Sequence, residues 1–203
     1  MILNLFERVA LNSLAKVYGR CAKIKVLVPS LFATLVCVGC SDDAESAYAK
    51  HQAFLRVPTV SVIHPLHSAL NSPGVFCQVS FSTTHYHFQN NHGQSASMLR
   101  TALDAYGKPL YVSGFIIGTP NAILTASGDL RPVAFDSVCP TCFNSSMIQR
   151  KLTIDEDGFA HCTRCETTYN LNNGGFPQSS KGQADKMLEY HLRYANDVLV
   201  VSN

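Results

Sequence analysis

Two cysteine pairs of identical form, Cys139-Pro-Thr-Cys142 and Cys162-Thr-Arg-Cys165, constrain this chain more than any other feature. Each is C-x2-C, and residues 143–161 separate them. That spacing suits four thiolates converging on one ion from two knuckles. Zn2+ takes a tetrahedron of sulfurs at about 2.3 Å, and an iron centre uses the same donors. Two disulfides are the competing use of the same residues. The expectation is a shared metal site on Cys139, Cys142, Cys162 and Cys165, so the fold must bring two loops to one point.

The N-terminus predicts an address. Residues 1–25 carry Arg8, Lys16, Arg20, Lys23 and Lys25 against one acid, Glu7. The apolar run 26–39 follows and ends at Cys40-Ser-Asp-Asp43. A basic segment, an apolar run and small residues before a cut form a secretory signal. The run is shorter than the roughly 20 residues a membrane-spanning helix needs. Val38-Gly39 before Cys40 resembles a bacterial lipobox, with Cys37 where that motif has Leu, Val or Ile. The resemblance implies a signal peptide over 1–39, cleavage after Gly39 and lipid on Cys40. A tether would then run over 40–56. Ser41-Asp42-Asp43-Ala44-Glu45 resembles the surface-export signal of Bacteroidetes lipoproteins, although acids and small residues also make a solvated linker. Outer-membrane anchoring is the expectation, with the face of the membrane left open. The n-region is long, which leaves open a start of translation downstream of Met1.

Residues 40–203 are within the range of one domain. They carry eleven Lys and Arg against thirteen Asp and Glu, so the basicity of the whole chain comes from the signal. No basic stripe points to nucleic acid. Outside the signal and the quartet only Cys40 and Cys77 remain, and Val75-Phe-Cys-Gln-Val79 reads as a buried thiol in a strand. Thiols that stay reduced in an oxidising compartment need a reason, and metal occupancy supplies one.

The body reads as short strands and turns, an all-β class. Val57–Ile63 alternates and predicts an edge strand, with Pro58 confining it there. Further strands are expected over 75–81, 85–88, 110–118, 132–135, 151–154 and 159–161. A closing hairpin is expected from 188–194 and 198–201 around the turn 195–197. Residues 95–106 fit a helix or a strand.

From about Val112 to Ser202 the order of parts resembles the Rieske domain. Gly114-Phe-Ile-Ile-Gly118, Ala134-Phe-Asp136 and the first knuckle come first. The second knuckle, Tyr169-Asn-Leu171, Gly174-Gly-Phe-Pro177 and the hairpin follow. The resemblance implies a Rieske-like antiparallel β domain over 112–203, with 57–111 as an N-terminal β extension of it. It also marks a departure. Thr141 and Cys165 stand where that family has its two histidine ligands. Histidine ligation raises the Rieske potential above that of all-cysteine clusters, so four cysteines imply a structural zinc or a low-potential 2Fe-2S centre. Signal and domain together resemble Rieske-like lipoproteins of the Bacteroidetes with a four-cysteine site.

Other constellations are weaker. His85-Tyr-His87, with His92 nearby, is a candidate second metal site, since residues two apart share a strand face, but reads mainly as the solvent face of an edge strand; His64-Pro-Leu-His67 is a weaker candidate still. His161 adjoins Cys162 and is a candidate alternative ligand, although with four cysteines available it reads as a supporting donor or a neighbour. Arg150, Lys151 and Arg164 are candidates to offset thiolate charge. No nucleophile elbow, P-loop, dinucleotide fingerprint or HExxH motif occurs, and no catalytic residue is nominated. Three function classes follow. They are a lipoprotein stapled by zinc, an electron carrier with a 2Fe-2S cluster, and a component of a surface complex that binds protein or glycan.

Overall fold

The computed structural model describes residues 53–101, 113–121 and 131–203. The signal 1–39, Cys40 and the acidic stretch after it lie outside the described residues, as do 102–112 and 122–130. The described part is mostly β and antiparallel throughout.

Eight strands form a curled sheet in the order β1-β12-β11-β6-β5-β2-β3-β4. They are β1 (Phe54–Val57), β2 (Phe76–Phe81), β3 (His85–Asn90), β4 (Ser95–Leu99), β5 (Phe115–Gly118), β6 (Val133–Asp136), β11 (Glu189–Ala195) and β12 (Val198–Ser202). Four short strands form a second sheet, β7 (Thr153–Ile154), β8 (Phe159–His161), β9 (Thr168–Asn170) and β10 (Phe176–Ser179), ordered β10-β9-β8-β7.

The period of two sorts the central strands between two cores. Cys77, Val79, Phe115, Ile117 and Ala134 face the larger core. Their neighbours Phe76, Ile116 and Phe135 face the opposite way, into a core shared with the small sheet. Strands buried on both faces read as continuous apolar runs, which is why Phe115–Gly118 lacks a polar position. Each fully buried aromatic or aliphatic side chain contributes roughly 1.5–3 kcal/mol. The small sheet therefore sits over the centre of the large one and leaves its two wings open.

The larger core is closed by α1 (His64–Asn71), which buries Pro65, Leu66, Ala69 and Leu70. Pro65 lies in the first turn, where its missing N–H costs nothing. Thr119 Oγ1 donates to the Leu70 carbonyl at 3.1 Å and fastens the helix end to the sheet.

The N-terminal expectations need correction. The predicted strand over Val57–Ile63 does not form. β1 starts inside the predicted tether and ends at Val57, before Pro58, and Val60–Val62 wind into a 3-10 turn. Asp197 explains it. Its carboxylate accepts from Ser61 N at 2.8 Å and Ser61 Oγ at 2.7 Å, and its carbonyl accepts from Val60 N at 3.0 Å. The β11–β12 turn thus captures this segment, and local alternation loses to a long-range contact. Helix α1 was not expected either. Of the segment 95–106, residues 95–99 form strand β4 and 102–106 lie outside the described residues; of the strand expected over 110–118, Phe115–Gly118 form β5 and 110–112 lie outside them. The closing hairpin forms as predicted, with Asn196 and Asp197 at φ +51° and +64°.

Candidate metal centre

Each knuckle grows out of a strand end. Cys139 follows β6 closely and stands immediately before α2 (Pro140–Ser146), a helix the sequence reading missed. Pro140 pre-sets the helical φ, and Phe143 N donates to the Cys139 carbonyl at 3.0 Å. Cys142 therefore lies one helical turn from Cys139. The second knuckle is the turn between β8 and β9. Cys162 N donates to the Thr167 carbonyl at 3.0 Å, Glu166 N donates to the Cys162 carbonyl at 3.0 Å, and Glu166 takes φ +59°.

These turns bring the four sulfurs together, all within 4.8 Å of one another. Cys139 and Cys165 Sγ are 3.5 Å apart, and Cys142 and Cys162 Sγ are 3.7 Å apart. Each short pair joins one knuckle to the other. Cys139, Cys142 and Cys162 are buried and Cys165 is half-buried. None of the four forms a disulfide. A tetrahedral ion with bonds of about 2.3 Å has sulfur–sulfur edges of about 3.8 Å, so the donor set fits a metal ion.

A hydrogen-bonded chain backs one sulfur. Asp185 N donates to Thr141 Oγ1 at 3.3 Å. Thr141 Oγ1 is 2.8 Å from the Tyr169 hydroxyl, which is 3.3 Å from Cys139 Sγ. With Thr141 donating to Tyr169, the phenol proton is aimed at the sulfur. Burial, then the sulfur's proximity, push Tyr169 far up, so it stays protonated as a donor. Thr167 Oγ1 lies 3.2 Å from Cys165 Sγ.

The sulfurs differ in how readily they ionise. Burial pushes Cys139 well up despite the Tyr169 hydroxyl, and burial with the nearby Cys165 and Cys162 raises Cys142 to about 11. Burial also opposes ionisation of Cys165, but hydrogen bonds from Thr167 and the neighbouring thiols bring it down to about 7. Four thiolates this close repel one another, and a dication is the counter-charge that lets all four ionise.

The other candidates lie elsewhere. His161 turns away from the sulfurs, with Nε2 2.7 Å from Asp155 Oδ2 and Nδ1 3.1 Å from Thr168 Oγ1. Arg150, Lys151 and Arg164 are exposed. His85 and His87 stack on β3 at a centroid distance of 6.1 Å, and His64 and His67 are exposed on α1. Among the described residues these histidines belong to no group of three or more clustered ligands. Cys77 is fully buried, as expected, and burial raises it to about 12. Tyr169, Thr167 and α2 were missed as parts of the site. The signal for Tyr169 was a phenol four residues past the second knuckle, on the strand leaving it. A scan against protein-family models finds no match, and a search of curated proteins finds none either.

Proposed function

We propose that this chain is a membrane-anchored bacterial lipoprotein with a Rieske-like domain, whose four cysteines hold a structural zinc and perform no catalysis. The carrying observation is the compactness of the sulfur cluster, with every pair within 4.8 Å. A two-iron cluster needs two thiolates on each iron, and its sulfide-bridged core holds the two pairs further apart than the edges of one tetrahedron. One tetrahedral ion needs no such spread. Four thiolates also close the coordination sphere, which leaves no position for substrate. The Rieske-like reading is supported by the order of strand, knuckle, strand pair, knuckle and hairpin. The anchor is supported by the basic segment, the apolar run and Val38-Gly39-Cys40. Electron transfer through a 2Fe-2S cluster on the same cysteines is the second reading, favoured by that same order of parts.

Elemental analysis of protein purified without air tests the centre. The expected result is one zinc per chain and no visible absorbance. Two irons with acid-labile sulfide and no zinc would overturn the staple in favour of the electron carrier. Mass spectrometry of the mature N-terminus tests the anchor. Cys40 should be the first residue and carry more than one acyl chain, because a single chain binds membranes only marginally. An unmodified Cys40 removes the lipoprotein reading.

A further inference from the structure

The small sheet covers the centre of the large sheet's outer face and leaves the wing of β1, β12 and β11 open. The outward rows of that wing follow from its register. One row is Phe54, Ser202, His191 and the next is Arg56, Val200, Arg193. Phe54, Arg56, His191 and Arg193 are all exposed. Arg131 joins His191 and Arg193 in lining a groove of about 510 Å³ along β11. Beyond these rows, on the same strand, Glu189 pairs with Phe135 of β6 and lies 3.5 Å from Lys186 Nζ. Among the described residues neither Arg56 nor Arg193 has an acidic partner. Residues 40–203 carry more acids than bases, so this wing opposes the balance of the rest. The acids Asp155, Glu156 and Asp157 lie away from it, in the β7–β8 turn of the small sheet.

We propose that this wing lies against the anionic phospholipid headgroups of the membrane that holds the chain. The proposal rests on the lipoprotein reading: residues 41–53 separate Cys40 from β1, so the wing includes the first described strand after the anchor. The chemistry suits headgroups. Guanidinium groups bind phosphate through paired N–H donors, and an exposed aromatic such as Phe54 suits the boundary between headgroup and acyl chain. Each cation near an anionic surface strengthens binding by about five-fold. The acyl chains on Cys40 hold the chain at the surface, and a basic patch adds to that attachment and sets which face meets the headgroups.

The test uses the full chain with Cys40→Ala, so that acylation cannot mask the wing. Binding is measured to phosphatidylcholine vesicles with and without about one-third phosphatidylglycerol, over a range of salt. Arg56→Glu/Arg193→Glu should lower binding to the anionic vesicles at least twenty-fold and flatten its salt dependence. Arg56→Gln/Arg193→Gln should fall between. Lys181→Glu, which breaks the exposed pair of Lys181 with Glu166, should change nothing. Each variant retains residues 1–39, whose five cations and apolar run bind vesicles alike in all of them, so the ratio of binding between variants is the reading of the wing. Equal loss in Lys181→Glu, or no loss in either double variant, would overturn the proposal. So would a double variant that binds vesicles normally but changes its oligomeric state, since the wing would then face a second copy. Mass spectrometry of Cys40 in the unsubstituted protein reads the anchor separately, so failure of one is not mistaken for failure of the other.

Discussion

Asp136 is the most unusual titrating residue outside the sulfur cluster. Its side chain is fully buried, with Oδ1 accepting from Val138 N at 2.7 Å and Oδ2 accepting from the Tyr190 hydroxyl at 2.6 Å. Burial dominates those two bonds and raises it from 3.8 to about 7. A carboxyl raised on folding stabilises the fold fully below its unfolded value. That contribution is lost as pH rises toward the folded value. Wild type should therefore lose stability between about pH 4 and pH 7 relative to Asp136→Asn, which keeps the shape and cannot ionise. At about 1.4 kcal/mol per unit the difference reaches on the order of 4 kcal/mol. Urea midpoints of both proteins across that range measure it, and a gap that does not vary with pH would show that Asp136 does not titrate there. None of this was legible in the sequence. Asp136 reads there as a strand end, and its partner Tyr190 is 54 positions away. Thr141 is the opposite case, since its place in the first knuckle was legible and only its bonds to Tyr169 and Asp185 were not. No reversible redox wave is expected between about −150 and +300 mV from protein purified without air, because two histidines are what raise a cluster to that range. Such a wave, with iron and sulfide present, would mean that nearby histidines ligate and would end the zinc reading.

At the level of elements, β6, β7 and β8 around the knuckles were readable, while β9, α2 and the N-terminal segment were not. Alternation in β3 and β11 and the apolar runs of β5 and β12 report burial directly. Residues 57–71 fail because their partners are remote. Asp197 claims Ser61, and α1 is eight residues whose apolar face is defined by the sheet beneath it. A helix that short carries little signal of its own. The seam between strands has its own sequence mark, in Gly118. A Cβ there would come within 2.4 Å of the Val75 carbonyl oxygen and the Phe76 ring on the paired strand β2. Backbone cannot yield as a flexible side chain can, so Gly118→Ala should cost about 1–3 kcal/mol, and more if β5 must shift. Gly93 is the control. Its φ is +79° but a Cβ there meets nothing within 4 Å, so Gly93→Ala pays only the left-handed backbone, about 1 kcal/mol. Thermal melts of the two variants should fall in that order. Equal shifts would mean that the β2–β5 seam is looser than these distances state.

For the whole molecule, the division into two cores decides how loss of the metal would be felt. The larger core, around Phe88, Phe115, Leu66 and Val201, contains none of the knuckle cysteines. The smaller one counts Cys139, Cys142 and Cys162 among its members beside Leu152, Ala160, Tyr169 and Leu171. Its sheet is made of strands of two to four residues, too short to hold without support. Its ties to the rest of the molecule include Gln78 Nε2 donating to the Leu152 carbonyl at 2.9 Å and Asn91 Nδ2 donating to the Glu156 carbonyl at 3.0 Å. With zinc bound as proposed, its affinity supplies folding free energy on the order of 10 kcal/mol, chiefly to this half. Chelation, or Cys139→Ser, should then remove amide protection from β7 to β10 and from both knuckles. Protection in β2, β3, β11 and β12 should persist but weaken. The weakening follows from Phe76, Ile116 and Phe135, which lose their cover and with it roughly 1.5–3 kcal/mol each. Hydrogen exchange read strand by strand distinguishes the outcomes. A Cys139→Ser protein with the small sheet still protected would contradict the staple. Simultaneous loss in all twelve strands would show that the two cores fold as one unit, with the metal holding both.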